Sequence, residues 1–126
     1  MTGLVGYART FLRGGVFVPP PVATLAEEVT RFHATLRHLH DDLGDASLRS
    51  TISDEQFLQG PLADVMTHAG QLAMLRRLAG SPVASENFIH AAISHTNLGA
   101  DQPAPVVPDL WWTPDQGPQP PGAPPT

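Results

Sequence analysis

Residues 60–82 constrain this chain most, because they spell a helix with apolar or small residues on nearly every side. Pro61 suits a first helical turn, where its missing N–H would lack an intrahelical partner, and Gly80 followed by Pro82 marks a stop. The charges sit where the helix dipole favours them, with Asp64 near the start and Arg76 and Arg77 near the end. On a helical wheel, Leu62, Val65, Ala69, Leu72 and Ala73 share one face, and Leu75 and Leu78 lie on a second. Ala63, Thr67 and Gly70 form a third side, small enough for another helix to approach closely. A helix of this composition belongs inside a bundle, with neighbours on two sides or more.

The rest of the chain offers few such neighbours. Leu4, Ala8 and Phe11, with Val5 and Leu12 beside them, predict a short first helix that ends at Gly14 and Gly15. Prolines 19, 20 and 21 then enforce an extended connection. Thr24-Leu-Ala-Glu27 has the spacing of a capping box and opens a second helix that ends at Gly44. Its Leu25, Val29, Phe32, Leu36, Leu39 and Leu43 recur at alternating steps of four and three, a heptad seam roughly 28 Å long at 1.5 Å per residue. Residues 44–60 read as a polar connection in which Ser53, Asp54 and Glu55 begin a further turn. Phe88, Ile89, Ala92 and Ile93 signal a weaker last helix, with Ser85 as its cap.

Two main helices approach the size at which one core is marginal. An isologous homodimer completing a four-helix bundle is therefore expected. The expected fold class is all-α, a helical domain over residues 1–100. A Pro-rich tail over residues 101–126 is expected to be extended or disordered, because nine of the 14 prolines fall there. In that tail, Trp111 and Trp112 are suited to covering an apolar patch, and the final residues are similar in composition to polyproline ligands.

Composition narrows the function classes. The net charge is −5, the seven cationic residues are all arginines, and no basic stripe exists, which weighs against a nucleic-acid partner. Without cysteine there is no disulfide, thiol nucleophile or cysteine-ligated zinc, and histidine is left as the metal-binding nitrogen. Arg9 and Arg13 interrupt the start of the chain before a signal-peptide core accumulates, and no stretch approaches the roughly 18 to 20 apolar residues of a membrane span. A cytoplasmic protein with no membrane partner is expected. Neither a nucleophile elbow nor a glycine-rich phosphate loop is present.

The histidines are the candidates for chemistry. An antiparallel pairing of the two long helices that sets Leu43 near Leu62 brings His40 level with Asp64, one turn from His68. Asp64 and His68 are four apart and share a helix face. His40, Asp64 and His68 then make a two-histidine, one-carboxylate set of the kind that holds iron, zinc or nickel with open positions for a substrate. Gln71, one turn on, is placed to hydrogen-bond a bound water or a cofactor. Structural roles weigh more for these residues: Asp64 as a dipole or capping partner, His68 as a hydrogen-bonded core histidine, His33 and His40 as surface or boundary residues.

The residues Asp64-Val-Met-Thr-His68-Ala-Gly70-Gln71-Leu72, the run Leu75-Arg76-Arg77-Leu78-Ala79-Gly80-Ser81-Pro82, and Glu86-Asn87-Phe88 carry a resemblance to the DinB-like superfamily. Its members are four-helix bundles related to the mycothiol-dependent maleylpyruvate isomerase fold. In that family the last bundle helix commonly carries two histidines four apart followed by Gly-Gln, a third histidine comes from an early helix, and together they bind a divalent metal. His68 matches the second histidine of the pair, and Asp64 stands where the first would be. The two long helices match the third and fourth of the bundle, so the early histidine and its helix have no counterpart in this stretch. The resemblance covers half the chain and implies a truncated relative, or one whose missing helices come from a second copy. For function it implies a divalent-metal-dependent enzyme, or a binder of a small ligand or thiol cofactor, with a degenerate site. The alternative is a non-catalytic homodimeric helical scaffold or interaction protein.

Overall fold

The computed structural model describes residues 1–22, 24–83 and 86–106. It contains helices α1 (Thr2–Arg13), α2 (Leu25–Gly44), α3 (Asp54–Phe57) and α4 (Ala63–Leu78), with a π-helical turn over Leu58–Leu62 that makes α3 and α4 continuous. The architecture is helical, as expected. Ser85, and the tail from residue 107 onward with Trp111 and Trp112, lie outside the described residues.

Local chemistry sets most of the boundaries. At the end of α1, Gly14 adopts φ 72° and its N–H donates to Thr10 O at 2.8 Å. At the start of α2, Thr24 Oγ1 accepts the Glu27 N–H, but the Glu27 carboxylate accepts from the Thr24 hydroxyl at 2.8 Å and does not reach back to the backbone. A complete capping box forms instead at α3, where Ser53 Oγ accepts from Gln56 N–H and Gln56 Oε1 accepts from Ser53 N–H. The stop of α4 is a Schellman motif: Gly80 at φ 74° donates to Arg77 O, and the Ser81 N–H donates to Arg76 O.

Pro61 departs from its expected place at a helix start. It is buried inside a helical run that begins at Asp54. A proline has no N–H for the carbonyl four residues back, here that of Phe57, and its ring crowds that carbonyl. The chain widens into a π turn there, and the Ala63 N–H reaches back to Leu58 O.

The packing centre is α1. Val5 and Ala8 are buried with Leu39 of α2 and Phe57 of α3, and Phe11, Leu12, Phe32, Leu36, Ile52, Leu62 and Val65 are partly buried around them. The returning connection passes over α1 so closely that Phe17 occupies the space a side chain at Gly6 would need. Thr51 N–H donates to Phe11 O at 2.8 Å and fastens the α2–α3 connection to the same helix.

The face α2 buries is rotated from its heptad seam. Thr35, Leu39 and Asp42 are buried, while Leu25, Val29 and Leu43 of the seam are exposed. Asp42 explains the rotation. Its carboxylate accepts from Arg9 Nε and Arg13 Nε, each at 2.6 Å, and so brings the C-terminal ends of α1 and α2 together. The short helix thus takes the place on α2 that the sequence reading assigned to α4.

As a result α4 meets the core only through its first turns, and none of its residues is buried within the chain. Leu75 is 56% exposed and Leu78 77%. The enclosure expected for residues 60–82 is not supplied by the described residues of their own polypeptide. The weak helix expected near residues 88–93 is replaced by a turn over 88–90, with Phe88, Ile89 and Ile93 exposed. No helix among the described residues is long and apolar enough to cross a membrane.

Candidate functional site

The helical spacing of α4 brings two of the three expected ligands together. Asp64 and His68 lie one turn apart, with Asp64 Oδ1 3.5 Å from His68 Nε2 and both side chains about half exposed. The turn of helix between them fixes this pair, so its geometry is independent of how α4 packs. Gln71 is exposed one turn further along the same side.

His40 does not join them. It sits on the flank of α2, with Nδ1 3.4 Å from Asp41 Oδ1 and its ring stacked on His95 at 5.6 Å between centroids and 14° between planes. The antiparallel α2–α4 register that would have placed His40 beside Asp64 is not adopted, because α2 is committed to α1 through Asp42. Among the described residues no group of three histidine or carboxylate side chains is arranged to hold a metal ion. Asp64 and His68 supply two exposed donors on one helix turn, where an open catalytic site uses three protein ligands.

Residues 86–106 make a concave feature. Phe88, Ile93, Pro103 and Val106, with Met66 of α4, line a cavity of about 400 Å³. Its polar groups are turned toward one another. Glu86 Oε1 accepts from Val106 N–H at 2.9 Å, Gln102 Oε1 accepts from Asn97 Nδ2 at 2.8 Å, and Gln102 Nε2 donates to Gly99 O. With those groups already paired, the recess offers apolar surface and little directional recognition. The segment is tied to α2 by His33, whose Nδ1–H donates to Leu98 O at 2.9 Å, and by the stacked His40 and His95 rings.

The buried group whose ionisation the fold perturbs is Asp42, which is 2% exposed. Burial pushes its carboxyl up, but hydrogen bonds from Arg9 and Arg13 and the charges of the two guanidinium groups outweigh that push and hold it below its ordinary value. Asp45 is also lowered, by the hydroxyl and N–H of Ser47, and Glu55 is lowered by its own N–H and the Ser53 side chain. None of these lies beside Asp64 or His68. Sequence reasoning missed the Arg9–Asp42–Arg13 cluster, although two arginines four apart on a short helix were a legible sign that one face of α1 carries paired cations. The histidine contacts of residues 95–98 left no such periodic sign.

Compared with known proteins, the chain matches no family model, no curated protein and no solved structure.

Proposed function

We propose that this protein is a non-catalytic helical interaction protein whose working surface is the outer side of α4, and that the chain acts as a homodimer in the cytoplasm. The observation that carries this reading is the absence of any buried residue in a sixteen-residue helix that contains Leu72, Leu75, Leu78, Met66 and Met74. A helix with few charges and no cover from the other described residues is a surface for another helix. Among the described residues the buried apolar cluster is Val5, Ala8, Leu39 and Phe57, a small core that favours a partner adding apolar contact. A bundle completed by a second copy also accommodates the DinB-like pattern of residues 59–88.

Light scattering at about 50 to 200 μM, where a weak helix-mediated dimer with micromolar dissociation constant is populated, tests this reading. A dimeric mass is expected, and a monomer across that range overturns it. A second reading has one specific observation behind it, the Asp64–His68 pair at 3.5 Å. In that reading a divalent ion, zinc, nickel or iron, binds this pair together with a small ligand or thiol cofactor near Gln71. Metal content after dialysis separates the two: less than about 0.2 ion per chain rejects the second reading, and a stoichiometric ion lost in His68→Ala supports it.

A further inference from the structure

The recess formed by residues 86–106 with α4 is apolar and open. Phe88, Ile93 and Val106 line it with Met66, and each of the four is more than half exposed. Its edge is also where the described residues end: the Val106 N–H donates to Glu86 Oε1 at 2.9 Å, so the chain continues from a fixed point on the recess. Directly beyond it in sequence come Val107, Leu110, Trp111 and Trp112. From Thr113 to Thr126 there is no further leucine, isoleucine, valine, methionine or aromatic residue. The large apolar side chains that follow Val106 are thus gathered within a few positions of the recess.

We propose that the Leu110-Trp111-Trp112 segment folds back over this recess and seats an indole in it. The chain from Val107 to Trp111 spans at most about 17 Å, which holds Trp111 near the recess at an effective concentration on the order of millimolar. A second copy or a free ligand at micromolar concentration competes poorly with that. The recess, about 400 Å³, admits an indole side chain, which has about 150 to 250 Å² of surface to remove from water. A covered indole also needs an acceptor for its Nε1–H. Glu86 lies in the recess wall with one carboxylate oxygen bonded to Val106 and no hydrogen bond to the other among the described residues. The remaining polar lining is paired internally, Asn97 with Gln102 and Gln102 with Gly99, which suits an aromatic ring with a single donor better than a polar ligand. Leu75 and Leu78 on the outer side of α4 are not part of this recess, so the contact stands apart from the dimer reading.

Both tryptophans of the chain lie in this segment, so tryptophan emission reports on it alone. Acrylamide is expected to quench that emission about threefold less efficiently than it quenches a free peptide of residues 107–126, at every protein concentration between about 1 and 200 μM. Ile93→Asp, at a position 84% exposed, is expected to raise quenching to the level of the peptide while leaving the far-ultraviolet circular dichroism unchanged. Leu75→Asp is expected to leave quenching as in the native chain. Peptide-like quenching of the native chain overturns the proposal. Protection that appears only as concentration rises also overturns it, because a second copy then covers the tryptophans. Protection lost in Leu75→Asp and kept in Ile93→Asp does the same, because the outer side of α4 then holds them.

Methyl NMR supplies a readout that does not depend on placing a charge in the recess. The ring current of a seated indole is expected to displace the Met66 methyl resonance, which should move in the Trp111→Ala, Trp112→Ala double variant. An unmoved Met66 resonance overturns the proposal, as does a shift confined to Met74, which lines a separate recess with Arg77 and Val83. A chain that scatters light as a monomer removes the dimer reading and leaves these expectations standing, so the two failures are distinguishable.

Discussion

Asp42 is the residue on which the fold turns. A carboxylate this buried is tolerated because two guanidinium groups bind its two oxygens, and removing its charge leaves Arg9 and Arg13 facing each other across an uncharged amide. Arg13 is half exposed and can turn to water, so the cost falls below that of a fully enclosed ion pair. Asp42→Asn is expected to lower stability by about 2 to 3 kcal/mol in urea denaturation at neutral pH. The pH dependence has a definite sign. Because the folded-state value of Asp42 lies below the ordinary 3.8, its contribution is fully present above the unfolded value and is lost as pH falls through the folded one. Asp45, also lowered, acts in the same direction. The urea midpoint of the native chain should therefore drop steeply below about pH 4, and that of Asp42→Asn should drop less. Identical acid profiles for the two proteins would show that the carboxylate does not join α1 to α2.

Among the elements, α4 is governed by its ends and by its own helix propensity, because little else holds it. Gly80 at φ 74° closes the Schellman motif, so Gly80→Ala forces a side chain into a left-handed conformation and is expected to cost about 1 kcal/mol. Gly70, by contrast, is mid-helix, and a Cβ added there meets nothing within 4 Å. Gly70→Ala should raise stability by about 0.5 to 1 kcal/mol, seen as a higher melting temperature. A Gly70→Ala protein that melts lower would mean that another helix already lies against that side. These local features were legible from sequence: the stops at Gly14, Gly44 and Gly80, the Thr24 cap, and the pairing of Asp64 with His68 by helical spacing. Pro61 was not, since one proline fits a helix start and a π turn equally well until the capping box at Ser53 shows that the helix has already begun. The position of His40 was not legible either. Periodicity gives the face a residue occupies but leaves the choice of facing helix to long-range contacts, here the two arginines of α1.

At the scale of the molecule, the described residues build a small core around α1 and leave α4 uncovered, so folding and association are expected to be linked. Each copy that docks on α4 removes apolar surface from water that the unfolded chain also exposes, and the folded state is stabilised by mass action. The melting temperature should then rise with protein concentration between about 5 and 200 μM, by a few degrees for a micromolar dimer of a domain this size. Leu75→Asp places a charge on the exposed side of α4, and Leu75 is not among the residues that form or pack around the Val5, Ala8, Leu39 and Phe57 cluster. That variant should fold at the low-concentration melting temperature and lose the concentration dependence. If Leu75→Asp instead melts far below the native chain even at the lowest concentration, Leu75 supports the monomer and the outer side of α4 is not a docking surface. If the native chain shows no concentration dependence while scattering as a monomer, α4 stands as an isolated helix stabilised by its caps and by its continuity with α3. The same measurement thus separates a helix held by local chemistry from one held by a second copy.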